Sequence, residues 1–118
     1  MTAGIYNFTI DQGSTWTLQL IYKDPNGTPI NLTGYTAKMQ VRRKFDSSTA
    51  VLTLTSLPGG GITITGITGT IDLLATDEQT EVIEGGLYVY DLELNNGGAI
   101  TRLIQGQITI SPQVTLSV

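Results

Sequence analysis

Apolar and polar residues alternate through most of the chain, turn-forming residues separate the alternating runs, and charge is scarce. Together these three observations predict an all-β domain. Charged residues make up 14% of the sequence and glycine numbers 14. With its abundant threonine, this is the composition of short strands joined by tight turns. At 118 residues a single domain spanning 1–118 is expected, large enough to enclose a two-layer core without metal or disulfide support.

The most informative stretch runs from Gly86 to Val114. Tyr88, Tyr90, Leu92 and Leu94 share one face of an extended chain, with Val89, Asp91 and Glu93 on the other. Asn95-Asn96-Gly97-Gly98 then supplies residues that tolerate positive φ, so a long β-hairpin is predicted with its second arm beginning at Ala99. Gly106 within that arm predicts a bulge or a bend. Pro112 marks where the arm leaves regular pairing, because proline has no ladder N–H.

The preceding elements follow in order. Ile5 to Ile10 reads as a first strand with Tyr6, Phe8 and Ile10 on one face, ended by the turn Asp11-Gln12-Gly13-Ser14. From Thr15 to Tyr22, Trp16, Leu18, Leu20 and Tyr22 fall on one side, so the sole tryptophan is expected in the core. Pro25-Asn26-Gly27 is a turn signal. Asp24, Asn26 and Thr28 also echo the first half of a calcium loop, but the later glutamate is missing and a plain turn is favoured. Thr36 to Arg43 is the next strand, with Ala37, Met39 and Val41 inward. Arg42-Arg43-Lys44 at its end is either a solvated rim or an interface for an anionic partner surface.

Ala50 to Thr55 forms a further strand, and Leu57-Pro58-Gly59-Gly60-Gly61 a loop before Ile62-Thr63-Ile64. That glycine run lacks the lysine of a phosphate-binding loop. Ile67 to Leu74 reads as another strand, with Gly69 as a break and Ile71 and Leu73 facing inward. Thr76 with Gln79 three residues on has the form of a capping box, and Asp77 and Glu78 suit a helix N-terminus. One short connecting helix of about two turns is therefore expected near 77–84, bridging one sheet to the next, with Val82 and Ile83 turned inward.

Chemistry is poorly provided for. There is no histidine and no cysteine, so the usual general bases and thiolate nucleophiles are lacking, and no cofactor or metal site is expected. Asp91 and Glu93 share a strand face, but charges at alternate positions usually form its wet side, with Arg102 as the expected partner. A net charge of −4 and a pI near 4.4 give no electrostatic reason to approach nucleic acid or an anionic membrane. The start of the chain has neither a basic segment nor a long apolar run, so a soluble protein made in a cytoplasm is expected. The matches to glycosylation acceptors at Asn7 and Asn31 are then accidental.

Several segments in a fixed order carry a family resemblance. They are Tyr6-Asn7-Phe8-Thr9-Ile10 with Gln12-Gly13, the run Pro29 to Arg42 (PINLTGYTAKMQVR), Gly60-Gly61-Ile62-Thr63-Ile64, Gly69-Thr70-Ile71, Tyr88 to Leu94, and Thr101-Arg102-Leu103-Ile104-Gln105-Gly106. The chain resembles small virion proteins of tailed bacteriophages and prophages, in particular the immunoglobulin-like domain that begins some baseplate upper proteins. That resemblance implies an immunoglobulin-like antiparallel β-sandwich and a non-enzymatic role in the virion. The role would be that of a tail or baseplate component or a tail-fibre adaptor, present in several symmetric copies and contacting other virion proteins. Ending at Val118, the chain lacks the long stalk of the larger baseplate proteins, which favours an adaptor or decorating subunit.

Capsid decoration is the alternative. A carbohydrate-binding module, with Tyr6, Tyr22, Tyr35, Tyr88 and Tyr90 as its candidate platform, is a further one. Core positions expected in the sandwich are Phe8, Trp16, Leu18, Leu20, Met39, Leu73, Tyr88, Tyr90 and Leu92. The candidate interface residues are Arg42, Arg43 and Lys44.

Overall fold

The computed structural model describes residues 4–114. Nine strands form two sheets: β1 (Gly4–Ile5), β2 (Phe8–Asp11), β3 (Trp16–Ile21), β4 (Thr36–Arg42), β5 (Leu52–Thr55), β6 (Ile62–Thr65), β7 (Thr70–Ala75), β8 (Gly86–Asn96) and β9 (Ala99–Ser111). The larger sheet has the order β1-β9-β8-β4-β5, with β2 also on β9, and the smaller is β3-β7-β6. The chain is all-β with two facing sheets, as its alternation predicts. The strand order is that of an immunoglobulin-type sandwich: β3, β7 and β6 occupy the B, E and D places, and β4, β8 and β9 the C, F and G places. Two hallmarks sit differently. The tryptophan stands at the head of β3 rather than on β4, and no disulfide joins the sheets.

The hairpin forms with Asn95 opposite Ile100 and Asn96 opposite Ala99. Gly97 and Gly98 take positive φ of 61° and 103° in the turn. The ladder slips once, where Leu92 faces Ile104 but Glu93 faces Arg102, so Leu103 is the extra residue and the bulge is not at Gly106. Gly106 pairs regularly with Tyr90 and is required for another reason. A Cβ there would lie 2.4 Å from the Tyr6 carbonyl oxygen and 2.6 Å from Asn7 Oδ1. The main chain at Tyr6-Asn7 crosses directly over it.

That crossing splits the expected first strand in two. β1 and β2 both pair with β9 in parallel, Gly4 opposite Ile104 and Phe8 opposite Ile108, so the sandwich is not wholly antiparallel. Asn7 Oδ1 accepts the Gln107 N–H at 2.8 Å across the break. Tyr6 does not continue the inward face of Phe8 and Ile10; it is 44% exposed. On β7 the expected start at Ile67 is replaced by a 3-10 turn, Gly66–Thr68, and the strand begins at Thr70.

Helix α1 (Asp77–Glu81) is shorter than expected and carries the predicted capping box. Thr76 Oγ1 accepts the Gln79 N–H, and Gln79 Oε1 accepts the Thr76 N–H. It connects β7 of the smaller sheet to β8 of the larger one. Ile83 turns into the core but Val82 is 79% exposed, because successive residues after the last helical turn cannot both face one side. At the start of β8 the Tyr88 hydroxyl donates to the Glu84 carbonyl at 2.7 Å, the tyrosine corner of immunoglobulin-type sandwiches.

Of the expected core positions, Met39, Leu73, Tyr88, Tyr90 and Leu92 are buried with Ile10, Leu32, Leu54, Ile71, Leu94, Ile108 and Ile110. Each fully buried Leu or Ile stabilises the fold by about 1.5–3 kcal/mol. Phe8, Trp16, Leu18 and Leu20 are half-buried and pack on the rim of that cluster. Trp16 stacks on Phe8 with centroids 4.9 Å apart and an angle of 6°, joining β3 to β2 across the open side of the sandwich.

Candidate interaction surface

The cations at 42–44 do not form one patch, because β4 ends at Arg42 and the chain bends through Arg43 and Lys44. Arg42 turns to the outer face of the larger sheet, donating from Nη1 to the Ser47 carbonyl at 2.7 Å and from Nη2 to Gln40 Oε1 at 2.8 Å. Arg43 turns the other way and lies 4.8 Å over the Tyr88 ring, 3.8 Å from Glu84. Lys44 is exposed, and its backbone N–H donates to Ser47 Oγ at 3.0 Å. Two of the three therefore serve the fold: Arg42 ties the β4–β5 loop, and Arg43 covers the tyrosine corner.

Register places Lys38 opposite Glu93 and Glu93 opposite Arg102, and in the next row Gln40 opposite Asp91 and Asp91 opposite Gln105. Opposite charges thus alternate across three strands, the arrangement that stabilises cross-strand neighbours. Arg102 does pair with Asp91, at 3.4 Å, reaching diagonally past the facing Glu93. Both partners are well exposed, so the pair contributes at most about 1 kcal/mol.

Phe45, 85% exposed, overhangs one depression of about 350 Å³ on this face, together with Gln40, Arg42, Asp91 and Arg102. Leu57 and Ile100, 68% and 63% exposed, border a second of about 490 Å³ that shares Glu93 with the first. The face therefore has a charged, largely self-neutralised middle and apolar side chains at both ends. Sequence reading missed Phe45, Leu57 and Ile100 as a set, since they come from three separate loops or strand ends.

A further depression, of about 920 Å³, lies on the smaller sheet between Thr17, Gln19, Thr63 and the Leu57–Gly59 loop. Asp72 is its one carboxylate and accepts from Gln19 Nε2 at 2.9 Å. A lone carboxylate already hydrogen-bonded offers no acid–base pair. At Asp24 the carboxylate accepts the N–H groups of Asn26 and Thr28 at 2.9 and 3.0 Å, so it closes the turn. Among the described residues no three His, Cys, Asp or Glu side chains converge.

The tyrosines do not make a platform. Tyr88 and Tyr90 are buried, Tyr22 and Tyr35 half-buried, and Tyr6 leans on Phe8 at 5.4 Å. The Tyr90 hydroxyl donates to the Tyr6 carbonyl at 2.6 Å. Burial, with Tyr6 beside it, pushes its pKa well above the usual phenol value.

A second polar cluster, unsuspected from sequence, knits the helix corner. Gln12 Nε2 donates to the Ile83 and Glu81 carbonyls at 2.8 and 3.2 Å, while its Oε1 accepts the Gln113 N–H at 2.9 Å. Fully buried Thr80 accepts the Gly13 N–H at 3.0 Å and donates to the Ser14 carbonyl at 2.8 Å. Those two partners lie more than sixty residues away in sequence, so no local pattern announces the cluster.

No family model matches the chain, and a comparison with curated proteins returns no match.

Proposed function

We propose that this protein is a non-enzymatic structural subunit of a tailed-phage virion, a tail or baseplate component or tail-fibre adaptor that docks through sheet faces, edges and loops. One observation supports it most. The outer face of the larger sheet presents paired charges between the exposed apolar side chains Phe45, Leu57 and Ile100, a surface suited to packing against another protein. The resemblance carried by Tyr6–Gly13, Pro29–Arg42 and Tyr88–Leu94 supplies the virion context.

The test is electron microscopy of the particle combined with copy counting. A copy number that is a multiple of three or six, as cyclic symmetry requires, at the tail tip is the expected result. Copies covering the head would favour capsid decoration instead. Absence from the particle, or turnover of a substrate, would refute the proposal.

A further inference from the structure

The sandwich has four lateral edges, and they are unequally protected. The β1/β2 edge is interrupted at Tyr6-Asn7, and β5 and β6 are four residues each, with Thr55 bridged to Gly61 between them. Strand β3 runs six residues, Trp16–Ile21, against β7 without a register break. It contains no charge, proline or glycine, the devices by which edges are usually blocked.

The direction of its free groups follows from the ladder. The Tyr22 N–H donates to the Gly69 carbonyl at 2.8 Å, and antiparallel pairs alternate between bonded and non-bonded, so Leu20, Leu18 and Trp16 bond to β7. The Leu74 N–H to Gly61 carbonyl bond on the far side of β7, at 2.8 Å, fits the same phase. The N–H and C=O groups of Thr17, Gln19 and Ile21 therefore point away from β7, with no strand beside them among the described residues.

We propose that β3 pairs antiparallel with β3 of a second copy of this chain, about a two-fold axis at Gln19. Thr17 then faces Ile21 of the partner subunit and Gln19 faces its own counterpart. All the outward backbone groups of the three residues are satisfied at once, because a bonded antiparallel pair exchanges two hydrogen bonds. On the inner face, Trp16, Leu18 and Leu20, half-buried at the open side, become covered. The exposed Ile5 and Tyr6 flank the same side, which the Phe8–Trp16 stack places beside β2.

Charge favours this orientation. Asp77, Glu78, Glu81 and Glu84 gather at α1 and its exit, which Thr80 fastens to the turn feeding β3. Antiparallel pairing puts the two acidic corners at opposite ends of a strand about 20 Å long, beyond two Debye lengths at physiological salt. Parallel pairing would set them side by side. The assembly also closes at two, since the joined sheet ends in the short β6 edges. The inference stands on the edge itself and does not depend on the virion reading.

Sedimentation equilibrium over a range of concentrations tests it, alongside amide hydrogen exchange. The wild-type protein is expected to dimerise, with the Thr17, Gln19 and Ile21 amides gaining protection as concentration rises while Leu18 and Leu20 stay protected throughout. Gln19→Pro removes one outward N–H from each copy, along with the exposed Gln19–Asp72 side-chain bond within each copy, and should weaken the dimer about tenfold or more through the two lost bonds between copies. If circular dichroism shows that variant unfolded, Gln19→Glu decides instead, because it keeps the ladder and sets like charges opposite each other, with Asp72 of each copy in the same row. A protein monomeric up to about millimolar concentration, above the weak end of specific association, overturns the proposal. So does a dimer that the folded variants leave unchanged, or one that forms without added protection at those three amides.

Discussion

Replacing Gly106 by alanine tests how the N-terminal strand is held. Gly106 has no positive φ, so alanine suits the backbone and the substitution probes contact alone. The new methyl would sit 2.4 Å from the Tyr6 carbonyl oxygen and 2.6 Å from Asn7 Oδ1, far inside contact distance, and the crossing segment must lift. Three hydrogen bonds depend on its position: Tyr6 N–H to the Gln105 carbonyl at 3.0 Å, Tyr90 hydroxyl to the Tyr6 carbonyl at 2.6 Å, and Gln107 N–H to Asn7 Oδ1 at 2.8 Å. Each contributes about 1 kcal/mol. The smaller entropy of the unfolded alanine chain offsets about 0.4–1 kcal/mol, leaving a net destabilisation of about 1–3 kcal/mol. Urea unfolding measures it. A double-mutant cycle with Tyr90→Phe sharpens the test: the phenylalanine should cost about 1 kcal/mol alone and much less in the Gly106→Ala background. If Gly106→Ala falls within about 0.5 kcal/mol of wild type, the usual range for a surface change, the close crossing is not what holds β1 and β2.

Thr76→Ala removes the side chain that caps α1 and should lower stability by about 1 kcal/mol, read from the urea midpoint at unchanged slope. Leu92→Ala opens a cavity at a position with no exposed surface and should cost about 2–5 kcal/mol in the same assay. Tyr90, whose folded pKa lies above its unfolded value near 10, keeps its proton in the native state after the unfolded chain has lost it. Its contribution is therefore complete below about pH 10 and declines as pH rises above that. Phenolate absorbance from Tyr90 should appear only with alkaline unfolding, so Tyr90→Phe should reduce that late step. Arg102→Ala, which loses the exposed pair with Asp91, should change stability by less than about 1 kcal/mol.

The features legible in sequence are those encoded within a few residues. The Asn95–Gly98 turn, the Thr76–Gln79 box and the inward faces of β4, β7 and β8 each follow from short-range chemistry, and each is found. What sequence reading missed depends on partners far along the chain. The parallel seat of β1 and β2 on β9 is set by residues about a hundred positions away, such as Asn7 and Gln107. The bulge at Leu103 depends on the opposing strand, and Gly106 misled because a glycine that admits a crossing backbone looks the same in sequence as one that bends its own strand. Arg42-Arg43-Lys44 reads as a cluster in one dimension and diverges in three. The outer face of the larger sheet shows the converse, since Phe45, Leu57 and Ile100 are scattered in sequence and border the depressions of that one face.

The unequal edges have a common origin in the N-terminal strand. Both halves of the broken first strand extend β9 rather than covering β3. Here the Phe8–Ile108 register, the Asn7–Gln107 bond and the space above Gly106 commit them to β9. Among the described residues β3 is left uncovered, and Trp16 is held at the rim by Phe8 rather than closed over by a neighbouring strand. The contacts that fix the first strand therefore also decide which edge is free for a partner. On the proposed pairing, a substitution that loosens β1 and β2 from β9 would let them compete with the second copy for β3. Gly106 would then influence assembly from the far sheet without touching the interface.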